Sequence, residues 1–210
     1  MAKKQNFFWA SYADLMTSLF FIMLVLFVLV IAMMKKQQNN LLVENERLNK
    51  ILKLEEQFKP LQDDDDFYYL EDCQKFVAKN LMGQEIFNSN SYIIKPEYIS
   101  STLTVGKKIE SFLESVSSQN SNFSYLLIIE GNMANRWDMS YNQDSQWGYD
   151  TSYKRALAVY DLWNKNNINF RKYNVEVLLC GSGFNGLCRD KVEENNKRFS
   201  IQIIPKVSNR

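Results

Sequence analysis

The chain has 210 residues, 46% hydrophobic and 23% charged, with 25 Lys+Arg against 24 Asp+Glu. A formal net charge of +1 gives no general drive toward nucleic acid. There are no histidines and 3 cysteines. This composition excludes a Ser-His-Asp triad, a histidine general base, a His-ligated metal and a four-cysteine zinc or iron–sulfur site within one chain. No catalytic residues, cofactor or resident metal are expected, and the chain is not expected to be an enzyme.

Mean hydropathy is −0.34, but the polarity is strongly segregated. Leu15 to Met34 is an uncharged apolar run of helical length, about 30 Å at 1.5 Å per residue, enough to cross a bilayer core. A cleaved signal peptide would have a shorter apolar stretch and a small-residue cleavage site, whereas Met33, Met34, Lys35 and Lys36 follow here. A retained single-pass anchor over residues 7–34 is expected, preceded by a short tail over residues 1–6. Trp9 and Tyr12 suit the membrane interface. Lysines counted on the two sides favour a cytoplasmic C-terminus.

Asp14 stands at the entrance of this segment. Ser11, Asp14, Thr17 and Ser18 fall at i, i+3, i+6 and i+7 and share one helical face. Such a polar stripe suits protein or water better than lipid. Spacing leaves two readings open: a headgroup-level dipole partner, or an ion-binding carboxylate at a helix–helix interface.

The stretch from Trp9 to Phe27, with Trp9, Ser11, Tyr12, Ala13, Asp14, Met16 and Thr17 matching W-x-x-[AS]-Y-A-D-[FL]-M-T, resembles the transmembrane segment of the MotB family. The resemblance implies that Asp14 carries a transported proton or sodium ion, with Thr17 and Ser18 beside it. It also implies that the N-terminus is cytoplasmic.

Residues 35–66 read as a helical stalk and acidic linker. Leu41 and Leu48 share a heptad position, which is weak support for a coiled coil with a second copy. Pro60 is expected to end the helix. Asp63 to Asp66 are read as a solvated linker rather than a calcium site.

From residue 67 to 210 the pattern becomes mixed. A helix is expected over Phe67 to Leu81 and a short strand over Glu85 to Tyr92. Pro96 opens a second helix with apolar residues from Ile99 to Val116. Strands are expected at Tyr125 to Ile129, Val175 to Cys180 and Arg198 to Ile204, with a helix from Ser152 to Trp163. The β-α-β-α-β-β order is an α+β fold with helices on one side of a sheet.

Four segments in this order resemble the OmpA-like peptidoglycan-binding domain. They are Ile86 to Leu113, Leu127 to Gly131, Ser152-Tyr-Lys-Arg-Ala156 against "S-x-x-R-A", and Asn196 to Ile203 against "N-R-R-[VF]-x-I-x-[IV]". The resemblance implies a C-terminal domain in the periplasm, which overrides the lysine count. It also implies a wall-binding site using Arg155, Asn132, Ser152 and Arg198. In that family an arginine and an aspartate grip the diaminopimelate end of the stem peptide. Arg155 keeps the first role. Asn132 and Ala134 replace the histidine and aspartate of "G-H-T-D", and Lys197 replaces the first arginine of the closing motif. Asp138, Asp144 and Asp150 are candidate substitutes for the lost carboxylate. Arg155 in a structural ion pair is the competing reading.

Cys180 and Cys188 flank a Gly-containing loop and in an oxidising compartment are candidates for a small disulfide ring, leaving Cys73 over. Three buried thiols are the alternative. Trp137, Trp147 and Tyr149 are candidate sugar-stacking or packing aromatics. An anchor and a wall domain of these kinds together resemble ion-driven stator B subunits. The resemblance implies MotA-like membrane partners, a homodimer, peptidoglycan binding and an inner-membrane location. The short tail and altered wall motif lean toward the B subunits of Zorya anti-phage systems. A flagellar stator and a passive tether are the alternatives.

Overall fold

The computed structural model describes residues 3–119, 123–136 and 138–207. Met1 and Ala2 of the expected tail, and Trp137, lie outside them. The chain divides into two compact units, Met1–Glu55 and Glu56–Arg210.

The first unit is helical throughout its described residues, as part of helix α1 (Lys3–Gln62). Every large apolar side chain from Leu15 to Met34 is exposed. The run is long and apolar enough to cross a membrane, by length and composition. It is the one such helix among the described residues.

The second unit is an α+β fold. It begins at Glu56 rather than at residue 67 because Phe58 and Leu61, at the end of α1, are buried in its core. Phe58 meets Phe112 at 5.5 Å between ring centroids. Pro60 does not end α1, which runs on to Gln62. A proline so near a helix end removes a single hydrogen bond and leaves no later turn to disrupt. In the acidic run that follows, Asp63 and Asp65 are exposed, while Asp64 and Asp66 are held by contacts. Lys108 pairs with Asp64 at 3.0 Å and with Asp66, and Asp64 Oδ1 accepts from Asp66 N at 2.8 Å.

The expected helix over Phe67 to Leu81 is instead a hairpin. Strand β1 (Phe67–Leu70) pairs antiparallel with β2 (Lys75–Ala78), Tyr69 opposite Phe76. Phe67, Tyr69, Phe76 and Ala78 alternate toward the core, a period of two that a helix cannot present. Gln74 turns the chain in the left-handed region, at φ 53°. The expected strand at Glu85 to Tyr92 reduces to one bridge between Phe87 and Ile94. Ile86 and Phe87 are both buried there.

The remaining elements follow the expected order. They are α2 (Pro96–Gln119), β3 (Phe123–Gly131), α3 (Gln146–Lys165), β4 (Val175–Gly181) and β5 (Phe199–Val207). The sheet order is β1-β2-β5-β3-β4. β3 and β4 are parallel, as their connection through α3 requires, and the other pairs are antiparallel. Val105, Ile109, Leu113 and Val116 of α2, with Ala156, Val159 and Trp163 of α3, cover one sheet face. The buried Trp163 indole donates to Thr102 O at 2.7 Å and so ties α3 to α2.

Cys180 and Cys188 do not form the expected ring. The disulfide joins Cys73 to Cys188, with Cα atoms 6.2 Å apart, and Cys180 is free. Cys180 is held within β4, in register with Glu130 of β3, while Cys188 lies out in the β4–β5 connection beside the β1–β2 turn. Strand pairing, not sequence spacing, decides which thiols meet.

Candidate functional site

The C-terminal ends of β3 and β4 meet the first turns of α3 at unusually close range. A Cβ on Gly131 would collide with the Ser152 carbonyl, and one on Gly181 with the backbone at Tyr153. Glycine at both strand ends lets the helix press directly onto the sheet. Ser152, fully buried, closes the junction. Its hydroxyl donates to Tyr149 O at 2.9 Å and accepts from Gly183 N at 2.9 Å.

This packing places Arg155 beside the end of β3. Its Nε donates to Ser91 O at 2.9 Å and Nη1 to Asn132 O at 2.8 Å. The guanidinium lies 4.9 Å from the centre of the Phe87 ring. The residue is 4% exposed, and no carboxylate of the described residues lies within ion-pair distance. Arg155 is therefore not the member of a structural ion pair. Burial pushes its pKa down to about 10, and more distant Glu85 opposes this only in part. The guanidinium is thus a buried cation held by two carbonyl dipoles and one ring.

Asn132 is buried next to Arg155. Its Oδ1 accepts from the Ser182 hydroxyl at 2.7 Å, so its side chain holds the β4–β5 connection in place. Arg155, Asn132 and Ser152 are thus brought together. Arg198 is joined to them through its backbone alone, its carbonyl accepting from Asn132 N at 3.0 Å. Phe199 faces the core, so Arg198 leaves from the other side of the strand. Its guanidinium donates to Cys188 O at 3.1 Å. Burial lowers its pKa, against the pull of Asp190.

None of the three candidate aspartates pairs with Arg155. Asp138 Oδ1 accepts from Ser140 N at 3.1 Å, Asp144 Oδ1 accepts from the Tyr149 hydroxyl at 3.0 Å, and Asp150 is exposed on α3. Lys197 pairs with Glu85, which Lys95 also approaches at 3.5 Å. Glu85, Phe87, Ser91, Ser182 and Gly183 were not foreseen as site residues. The glycines at the ends of two adjacent strands are a sequence signal for Ser182 and Gly183 alone; no such signal marks Glu85, Phe87 or Ser91.

In the membrane-spanning unit, Asp14, Thr17 and Ser18 are all exposed on one helix. The Thr17 hydroxyl donates to Ala13 O at 2.7 Å and the Ser18 hydroxyl to Leu15 O at 2.9 Å. Among the described residues of this unit, no side chain makes a hydrogen bond or ion pair with Asp14.

No protein-family model matches the chain, and no curated protein matches it significantly. Among solved structures it is similar to the periplasmic domain of Helicobacter pylori MotB. That likeness has 13% identity and a TM-score of 0.40, and covers 65% of this chain and 86% of the other. It is also similar to the peptidoglycan-associated lipoprotein of Burkholderia pseudomallei, at 13% identity and TM-score 0.33, covering 58% and 87%. An outer membrane protein of Borrelia burgdorferi is similar at 17% identity and TM-score 0.33, covering 59% and 83%.

Proposed function

We propose that the chain is a single-pass inner-membrane stator subunit, with its second unit in the periplasm. Two copies stand among MotA-like subunits. A proton or sodium ion passing over Asp14 drives motion of those partners, while the periplasmic unit holds the peptidoglycan. The observation that carries this reading is Asp14 itself, an exposed carboxylate sharing a face with Ser11, Thr17 and Ser18 at the head of a run, Leu15 to Met34, whose large apolar side chains are all exposed. A carboxylate so placed costs least where partner helices and a mobile cation surround it. The wall-binding arm of the proposal rests on Arg155, a buried guanidinium without a counter-ion. The user of the motion in this reading is an anti-phage system of the Zorya kind rather than a flagellum. A MotA-like gene beside a helicase or nuclease gene supports that assignment, and flagellar neighbours refute it.

The test is Asp14→Asn in the full chain, reconstituted with its MotA-like partner in proteoliposomes. Ion flux is expected to stop while membrane insertion and dimerisation persist. Unchanged flux overturns ion coupling. A passive tether is the second reading, favoured by the Thr17 and Ser18 hydroxyls being spent on their own helix.

A further inference from the structure

Trp147 stands in the first turn of α3 and is 40% exposed. Its ring is nevertheless fixed. Tyr141 lies 5.6 Å and Phe184 5.9 Å away between centroids, and those two rings stack on each other at 5.1 Å. Phe184 is buried, and Gly148 lies so close to it that a Cβ would collide. Arg136 sits over the Tyr141 ring at 5.8 Å. A packing tryptophan with this much support beneath it could bury its outer surface, yet this one presents it to solvent. Just before the helix, Asp144 accepts from the Tyr149 hydroxyl at 3.0 Å.

Trp147, Thr151 and Arg155 follow one i, i+4 ridge of α3, so the Cα atoms of Trp147 and Arg155 lie roughly 12 Å apart along the helix axis. In peptidoglycan the diamino acid follows the muramyl sugar by an extended stem of three residues, roughly 10 Å. The two lengths agree. The C–H face of a pyranose ring carries partial positive charge and suits the negative face of an indole.

We propose that Trp147 is a sugar-stacking residue, which seats the muramyl ring of the same glycan–peptide unit whose stem carboxylate Arg155 receives. This inference rests on the wall-binding reading of Arg155 and adds the glycan to it.

Detergent-solubilised full chain is titrated calorimetrically with the disaccharide-tripeptide and with the free tripeptide. The disaccharide form is expected to bind about tenfold tighter. Trp147→Ala is expected to remove that advantage and leave tripeptide affinity unchanged, and Trp147→Phe to keep most of it. Arg155→Ala is expected to abolish binding of both. Equal affinities in the wild-type protein overturn the stacking role and leave the Arg155 reading standing. Equal loss of both ligands in Trp147→Ala, with an unchanged melting temperature, also overturns it. Should Trp147→Ala not fold, the wild-type ratio and Trp147→Phe decide. If neither ligand binds the wild-type protein, both readings fall.

Discussion

Lys75 of β2 and Glu130 of β3 are joined at 2.5 Å although β5 runs between their strands. Both are nearly buried, at 9% and 11% side-chain exposure. They face away from the helices, on the sheet surface that also bears Cys180 and Ser200. Removing one partner strands the other charge. Glu130→Gln is expected to destabilise the unit by about 3–5 kcal/mol, whereas Lys75→Met with Glu130→Leu is expected to cost far less. Urea unfolding of the single and double variants checks this.

The Cys73–Cys188 bond fastens the β4–β5 connection, whose Ser182 and Gly183 hold Asn132 and Ser152. Cys73→Ser is expected to lower stability by about 2–5 kcal/mol, read as a fall in denaturation midpoint that reductant reproduces in the wild-type protein. The variant is also expected to weaken sedimentation with cell-wall sacculi.

Cys180 is expected to be a sluggish thiol. Burial, with Glu130 adding to it, pushes its pKa up to about 11, so the thiolate is scarce near neutrality. A thiol assay should find one reactive group per chain under denaturing, non-reducing conditions. Iodoacetamide should modify it in the folded protein at least tenfold more slowly than a free cysteine.

Acid should loosen the rim of the site. The hydrogen bond from Lys197 lowers the Glu85 pKa, its ion pairs with Lys197 and Lys95 add to this, and burial opposes it. The folded state therefore favours the carboxylate. Its stabilising contribution is complete above the unfolded value of about 4.3 and is lost as pH falls through the lower folded one. Asp64 shifts the same way: burial raises it, but the Asp66 N–H and Lys108 outweigh that. Melting temperature should fall below about pH 4, and less steeply in Glu85→Gln.

Gly131→Ala tests the junction beneath Arg155. The new methyl would meet the Ser152 carbonyl, and relieving the clash must shift α3 from the sheet. A cost of about 1–3 kcal/mol is expected, with loss of sacculus binding out of proportion to the change in melting temperature.

The sequence made α2, α3 and the three long strands legible because each has a sustained period and a clear boundary, such as Pro96 at the head of α2. Arg155, Asn132 and Ser152 are grouped by the resemblance to the OmpA-like domain alone, and the structure places them together at the junction of β3, β4 and α3. The sequence misread residues 67–81, where strands of four residues are too short for period two to stand out from helical spacing. It also mispaired the cysteines. Nearness of Cys180 and Cys188 along the chain says nothing about a strand register that holds one and a connection that carries the other away. The ionic border of Glu85 and Lys197 was equally hidden, since those residues meet only after the sheet has formed.

The cystine also fixes what a protease can accomplish. Its two half-cystines enclose the whole stretch from residue 74 to residue 187, including the exposed turn around Asn142. A single cut there would nick the polypeptide without releasing either piece. A cut within this stretch would therefore need a reductant as well before the two pieces could part, whereas a cut before Cys73 would not.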